Sequence, residues 1–141
     1  MHKPSEITLV MIDDNPDEIF LTRRQVRREG IVNSFVSEKK PERIFDTLAE
    51  LRKAGVDKSK ILILLDIRMP RENGLETLQK IRANRDYKDV PVIMLSASND
   101  GSDMFKAFDL GANGYVVKPF KADEFFAALS NLPSVKHQLV Q

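Results

Sequence analysis

Four short apolar runs punctuate the chain: Ile7-Thr8-Leu9-Val10-Met11-Ile12, Ile61-Leu62-Ile63-Leu64-Leu65, Val92-Ile93-Met94-Leu95 and Tyr115-Val116-Val117. Each is unbroken and rich in branched side chains, which predicts strands buried on both faces, as in a parallel sheet. A weaker strand is predicted over 33–37. Helical patterns fill the intervals. Asn15 followed by Pro16 reads as an N-cap and first helical residue, with Asp17 and Glu18 in the first turn, Arg27 and Arg28 in the last, and Gly30 just beyond. Pro41 opens a second helix with Ile44, Phe45, Leu48 and Leu51 on one stripe, ended by Gly55. Leu75, Leu78 and Ile81 mark a third. Met104, Phe105, Phe108 and Leu110 mark a fourth, closed by Gly111, and Phe125, Phe126, Leu129 and Leu132 mark a fifth.

The predicted order is βαβαβαβαβα. Such alternation implies a parallel sheet covered by helices on both faces, and right-handed crossovers leave few topologies. The pattern is that of one domain over 7–132, with a polar tail at 1–6 and a short tail at 133–141. In that second tail Val135, Leu139 and Val140 could cover a neighbouring subunit, but a frayed end is the simpler expectation.

Composition narrows the function classes. The chain has 141 residues, 22 Lys plus Arg against 21 Asp plus Glu, and no cysteine. The absence of cysteine excludes disulfides, thiolate metal sites and a cysteine nucleophile, and fits a reducing cytoplasm. Neither a signal-peptide core nor an apolar stretch of the roughly 18 residues needed for a span is present, so a cytoplasmic protein without membrane contact is expected. A net charge of +1 gives no bulk attraction to nucleic acid.

The chemistry follows the apolar runs. The first ends in Asp13-Asp14, the second in Asp66, the third in Ser96 and the fourth in Lys118-Pro119. Open parallel sheets bind ligands at the carboxyl ends of their strands, so these groups should converge on one rim. Taken singly each has a plain explanation: a cap, a turn residue, a solvated lysine. Together they do not, and Asn15 already supplies the cap. Two carboxylates about 5 Å apart repel by roughly 3 kcal/mol at an effective dielectric near 20. Three demand a cation, and hard oxygen ligands without His or Cys select Mg²⁺. A metal and a lysine to neutralise phosphate, a hydroxyl donor and a carboxylate nucleophile form a phosphoryl-transfer constellation.

These residues, with Asp66-Ile67-Arg68-Met69-Pro70, Asn73-Gly74, Ser96-Ala97 and Gly114-Tyr115-Val116-Val117-Lys118-Pro119-Phe120, give residues 7–132 a close resemblance to two-component response-regulator receiver domains of the CheY type. The stretch Asp14-Asn15-Pro16-Asp17-Glu18 and the long second helix also resemble the single-domain regulators paired with bacterial phytochrome kinases. The resemblance implies a flavodoxin-like, doubly wound, five-stranded parallel sheet of order 2-1-3-4-5. It implies that Asp66 accepts a phosphoryl group from a kinase phosphohistidine. Asp14, Asp66 and the Arg68 backbone carbonyl would ligate Mg²⁺, with Asp13 acting largely through water. Ser96 and Lys118 would hold phosphoryl oxygens, Tyr115 would turn inward as the switch, and Lys118-Pro119 would be cis. Ser96 stands where the family more often has Thr, which keeps the hydroxyl.

Arg68, two residues after Asp66, and Ser98, two residues after Ser96, are expected to face each other across the mouth of this site and to set the lifetime of the phosphoryl group. Arg68 can hold phosphoryl oxygens and obstruct water, or it can stabilise charge during hydrolysis; the first predicts slow self-dephosphorylation. The expected partner is a sensor histidine kinase, of phytochrome type on the finer resemblance, or a phosphotransfer protein in a relay. With no effector domain expected, output would come from phosphorylation-dependent partner binding or homodimerisation. A flavodoxin-like FMN carrier is disfavoured because Asp13-Asp14 would repel the flavin phosphate. A dehalogenase-type phosphatase is disfavoured because position 68 is Arg where a general acid is needed. Arg23, Arg24, Arg27 and Arg28 read as a solvated helix end, then as a kinase-docking face, and last as a DNA contact.

Overall fold

The computed structural model describes residues 6–30, 34–70, 72–97, 101–130 and 132. Ser98, Asn33, residues 1–5 of the first predicted tail and the whole tail at 133–141 lie outside them. The elements are β1 (Thr8–Ile12), α1 (Pro16–Glu29), β2 (Ser34–Glu38), α2 (Ile44–Lys53), β3 (Ile61–Asp66), α3 (Gly74–Ala83), β4 (Val92–Ser96), α4 (Gly101–Asp109), β5 (Gly114–Val117) and α5 (Ala122–Ser130). All five strands are parallel, in the order β2-β1-β3-β4-β5. The predicted fold class is the observed one. No helix among the described residues is long and apolar enough to cross a membrane.

Every residue of β1, β3 and β4 is buried. Because successive side chains alternate across a strand, each run feeds two cores. Leu9, Met11, Leu62, Leu64, Ile93 and Leu95 point to one face and meet Ile19 and Val26 of α1 and Phe125 and Leu129 of α5. Val10, Ile12, Ile63, Leu65 and Met94 point to the other and meet α2, α3 and α4 through Leu48, Leu78, Ile81 and Ala107. Fully burying each of these large side chains stabilises the fold by about 1.5–3 kcal/mol, which is why short runs without alternation suffice.

Local signals place α1 as expected. Asn15 Oδ1 accepts from the N–H groups of Asp17 and Glu18, and Gly30 caps the other end at φ 62°, a left-handed conformation in which glycine carries no Cβ penalty. Two expectations need correction. Pro41 opens a 3-10 turn, Pro41–Arg43, and the α-helix proper begins at Ile44. In α4 the apolar residues do not form one buried stripe: Phe105 is 73% exposed and Phe108 47%, while Ala107 is fully buried. The small alanine faces the sheet, with Met104 and Leu110 half-buried one turn to either side.

Parallel strands bring their carboxyl ends to one edge. Ile12 pairs with Leu65, Asp66 with Leu95, and Ser96 with Val117. The residues at or just after these ends, Asp13, Asp66, Ser96 and Lys118, therefore share a rim.

Candidate functional site: an acidic rim with one half-buried lysine

Asp13 is held just past β1 by its N–H, which donates to the Glu38 carbonyl at 3.1 Å. Its Oδ1 accepts from the Asn15 N–H at 2.9 Å, tying the carboxylate to the start of α1. Asp13, Asp14 and Asp66 each offer a carboxylate oxygen within 4.8 Å of the others. Asp13 and Asp66 are buried and Asp14 is half-buried. Lys118 Nζ stands 3.3 Å from Asp66 Oδ1, 3.5 Å from Asp13 Oδ2 and 3.8 Å from Glu18 Oε1. The three carboxylates and Lys118 thus meet at one edge of the sheet, and Glu18, from the first turn of α1, joins them.

The electrostatics follow from burial. Desolvation, then the neighbouring Asp13 charge, push the Asp66 carboxyl up from 3.8 to about 6, against the pull of Lys118 and of the Arg68 N–H. Desolvation also raises Asp13, opposed by the Asn15 N–H and Lys118. Burial alone would lower Lys118, but Asp13, Asp66 and Glu18 outweigh it and hold the ammonium above its ordinary range. One lysine therefore balances four carboxylates only in part.

Whether a divalent cation fits is answered by the donor set. All three clustered ligands are hard carboxylate oxygens, the set that Mg²⁺ takes. Asp13 Oδ2 is buried and makes no hydrogen bond, an acceptor that an ion or its water would satisfy. The residues present suit Mg²⁺.

The loop after β3 is shaped by Asn73-Gly74. Asn73 Oδ1 caps α3 by accepting from the Leu75 N–H at 2.7 Å. The Gly74 N–H donates to the Ile67 carbonyl at 2.7 Å. A Cβ at position 74 would lie 2.1 Å from the Asp66 carbonyl oxygen, so glycine is what lets α3 close against the strand end that carries Asp66. Ser96 is buried at the end of β4, where its carbonyl accepts from the Lys118 N–H at 2.7 Å. Tyr115 is half-buried against the core on the α3–α4 face. Lys118-Pro119 is cis. The Arg68 side chain turns toward α4 and pairs with Asp103.

Three residues of this rim escaped the sequence reading: Glu18, Gln25 and Asp103. Glu18 and Gln25 are seven apart on α1, with Thr22 between them, and so lie on one helical face. That spacing was the available signal.

A five-stranded doubly wound sheet with carboxylates and a lysine gathered at the strand ends defines an α/β domain whose polar site lies at one sheet edge. The chain belongs to the response regulator receiver domain family, whose model matches residues 9–130. It is 31% identical to the bacteriophytochrome response regulator RtBRR, with a TM-score of 0.77, over 91% of this chain and 78% of that one. The bacteriophytochrome response regulator AtBRR is 28% identical, also with a TM-score of 0.77, over 92% of this chain and 94% of that one. The transcriptional regulatory protein KdpE of Mycobacterium tuberculosis is 32% identical over 126 residues, 87% of this chain and 50% of KdpE. The chain spans half or less of the length of curated relatives such as this one. Receiver domains are phosphoacceptor signalling modules, and they bind Mg²⁺ at an acidic pocket.

Proposed function

We propose that Asp66 is the phosphoacceptor and that a histidine kinase is the donor. The observation that carries this reading is the meeting of Asp66 with Lys118 at 3.3 Å inside a cluster of further carboxylates. An Asp66 oxygen attacks phosphorus as the phosphorus–nitrogen bond of a phosphohistidine breaks, and the bonding pair returns to the imidazole. Lys118 holds one phosphoryl oxygen as charge accumulates, and the Ser96 hydroxyl donates to another. Burial keeps water from competing for these contacts. Asp14, Asp66 and the Arg68 carbonyl would hold Mg²⁺, with Asp13 linked through water; when bound, the ion supplies the charge neutralisation that three carboxylates and a phosphate require.

Once Asp66 is phosphorylated, Ser96 is drawn to the phosphoryl group and Tyr115 follows into the space it leaves. The changed surface then binds a partner or a second copy. Similarity to two bacteriophytochrome response regulators supports a phytochrome-type kinase as the donor.

Intact-mass measurement after incubation with acetyl phosphate tests the reaction. With Mg²⁺ the chain gains one phosphoryl group and with EDTA it gains none. Equal labelling with and without metal would overturn the metal-dependent mechanism.

A further inference from the structure

Arg68 and Asp103 join two segments that border the rim. Arg68 Nη2 donates to Asp103 Oδ2 at 2.9 Å, and Asp103 lies in the first turn of α4. The two ends are unequally set. The Asp103 side chain is only 13% exposed, whereas that of Arg68 is 66% exposed. Arg68 is also anchored beside the phosphoacceptor, two residues after Asp66 at the end of β3.

We propose that Asp103 is a positioning residue for Arg68: it holds the guanidinium on α4 while Asp66 is unmodified and yields it to the phosphoryl group once Asp66 carries one. This rests on the reading of Asp66 as phosphoacceptor. An exposed ion pair is weak and readily exchanged. A phosphoryl group carries close to two negative charges and offers several acceptor oxygens, against one charge on Asp103, so it competes for a guanidinium that bonds anions through two N–H groups at once. The exchange has two consequences. Arg68 comes to lie across the phosphoryl group, and α4 loses a tether to the loop after β3.

The first consequence bears on the lifetime of the signal. In hydrolysis a water oxygen bonds phosphorus as the phosphorus–oxygen bond to Asp66 breaks. The bonding pair returns to the Asp66 carboxylate, the water's proton passes to solvent, and inorganic phosphate leaves. Arg68 lying over the phosphoryl group obstructs that water, and Asp103 weakens the obstruction by competing for Arg68.

The test is phosphate release from four Mg²⁺-bound, acetyl-phosphate-labelled proteins: wild type, Asp103→Asn, Arg68→Met and the double variant. Asp103→Asn is expected to slow release several-fold. Arg68→Met is expected to quicken it, and the double variant to match Arg68→Met. Asp103→Glu, which keeps the charge, is expected to restore the wild-type rate. An effect of Asp103→Asn that is equal in both backgrounds would show that Asp103 acts only on its helix, and would overturn the proposal. So would an unchanged or faster release in Asp103→Asn. If none of the four takes up label, the phosphoacceptor reading itself has failed and this proposal falls with it.

Discussion

Gln25 on α1 grips the turn that carries Lys118: its Nε2 donates to the Phe120 carbonyl at 2.9 Å, and its Oε1 accepts from the Ala122 N–H at 3.2 Å. One amide thus satisfies both strands of the turn between β5 and α5 and ties that turn to the helix bearing Glu18. Gln25→Met keeps the length and loses both bonds. It is expected to slow phosphorylation by acetyl phosphate several-fold while leaving Mg²⁺ affinity unchanged, since the clustered carboxylates Asp13, Asp14 and Asp66 make no bond to Gln25 or to the Phe120 and Ala122 backbone groups it holds. In a Lys118→Ala background the same substitution should have no further effect on the rate. A matching loss of Mg²⁺ affinity would mean that Gln25 supports the whole rim rather than Lys118.

Asp66 makes the metal-free fold sensitive to pH. Its carboxyl titrates near 6 in the folded chain against 3.8 ordinarily, so the folded state binds the proton more tightly. The stabilisation from the protonated form is complete below about pH 4 and is lost as pH rises through about 6, a difference on the order of 3 kcal/mol. Asp13, also raised, acts in the same direction. In EDTA, urea unfolding should show Asp66→Asn more stable than wild type at pH 7, with the gap closing toward pH 4. Mg²⁺ should narrow the gap at pH 7 by stabilising wild type alone. A gap independent of pH would contradict the assigned environment.

Position 74 admits no side chain. A Cβ there would overlap the Asp66 carbonyl, so Gly74→Ala must push α3 away from the end of β3. A loss of about 2 kcal/mol or more is expected from this steric conflict. Phosphorylation should slow in the fraction that stays folded. Denaturant melts and labelling of the same sample check both effects, and a variant as stable as wild type would show that the loop relaxes freely.

Ser96→Ala is expected to separate phosphorylation from its consequence. Ser96→Ala keeps Asp66, Lys118 and the acidic cluster, so it should still take up label. Its missing hydroxyl should leave Tyr115 in its resting place. The ring resonances of Tyr115 are expected to shift on phosphorylation in wild type and to stay fixed in Ser96→Ala. An equal shift in both proteins would remove Ser96 from the switch.

The sheet and most of the rim were legible because the same physics wrote both signals. Double-sided burial forces unbroken runs such as Ile61 to Leu65, and parallel pairing forces whatever follows each run to one edge. Asp13, Asp14, Asp66, Ser96 and Lys118 could therefore be placed together from position alone. Glu18 and Gln25 were not legible in this way. A polar residue on a helix reads as solvated, and only the position of α1 against α5 and the turn before it turns that face inward. Asp103 and Arg68 are 35 residues apart, and their pairing depends on where α4 lands. In α4 itself two apolar residues face out because Ala107 takes the place against the sheet, a choice that the spacing of Met104, Phe105, Phe108 and Leu110 does not reveal.

If Asp66 carries the phosphoryl group, chemical mapping finds the modification at that position. Borohydride reduces an aspartyl phosphate to homoserine, which peptide mass spectrometry locates. After treatment with acetyl phosphate and Mg²⁺, wild type should contain homoserine at position 66 and Asp66→Asn should contain none. Homoserine at position 13 or 14 in wild type, or continued labelling of Asp66→Asn, would contradict the account.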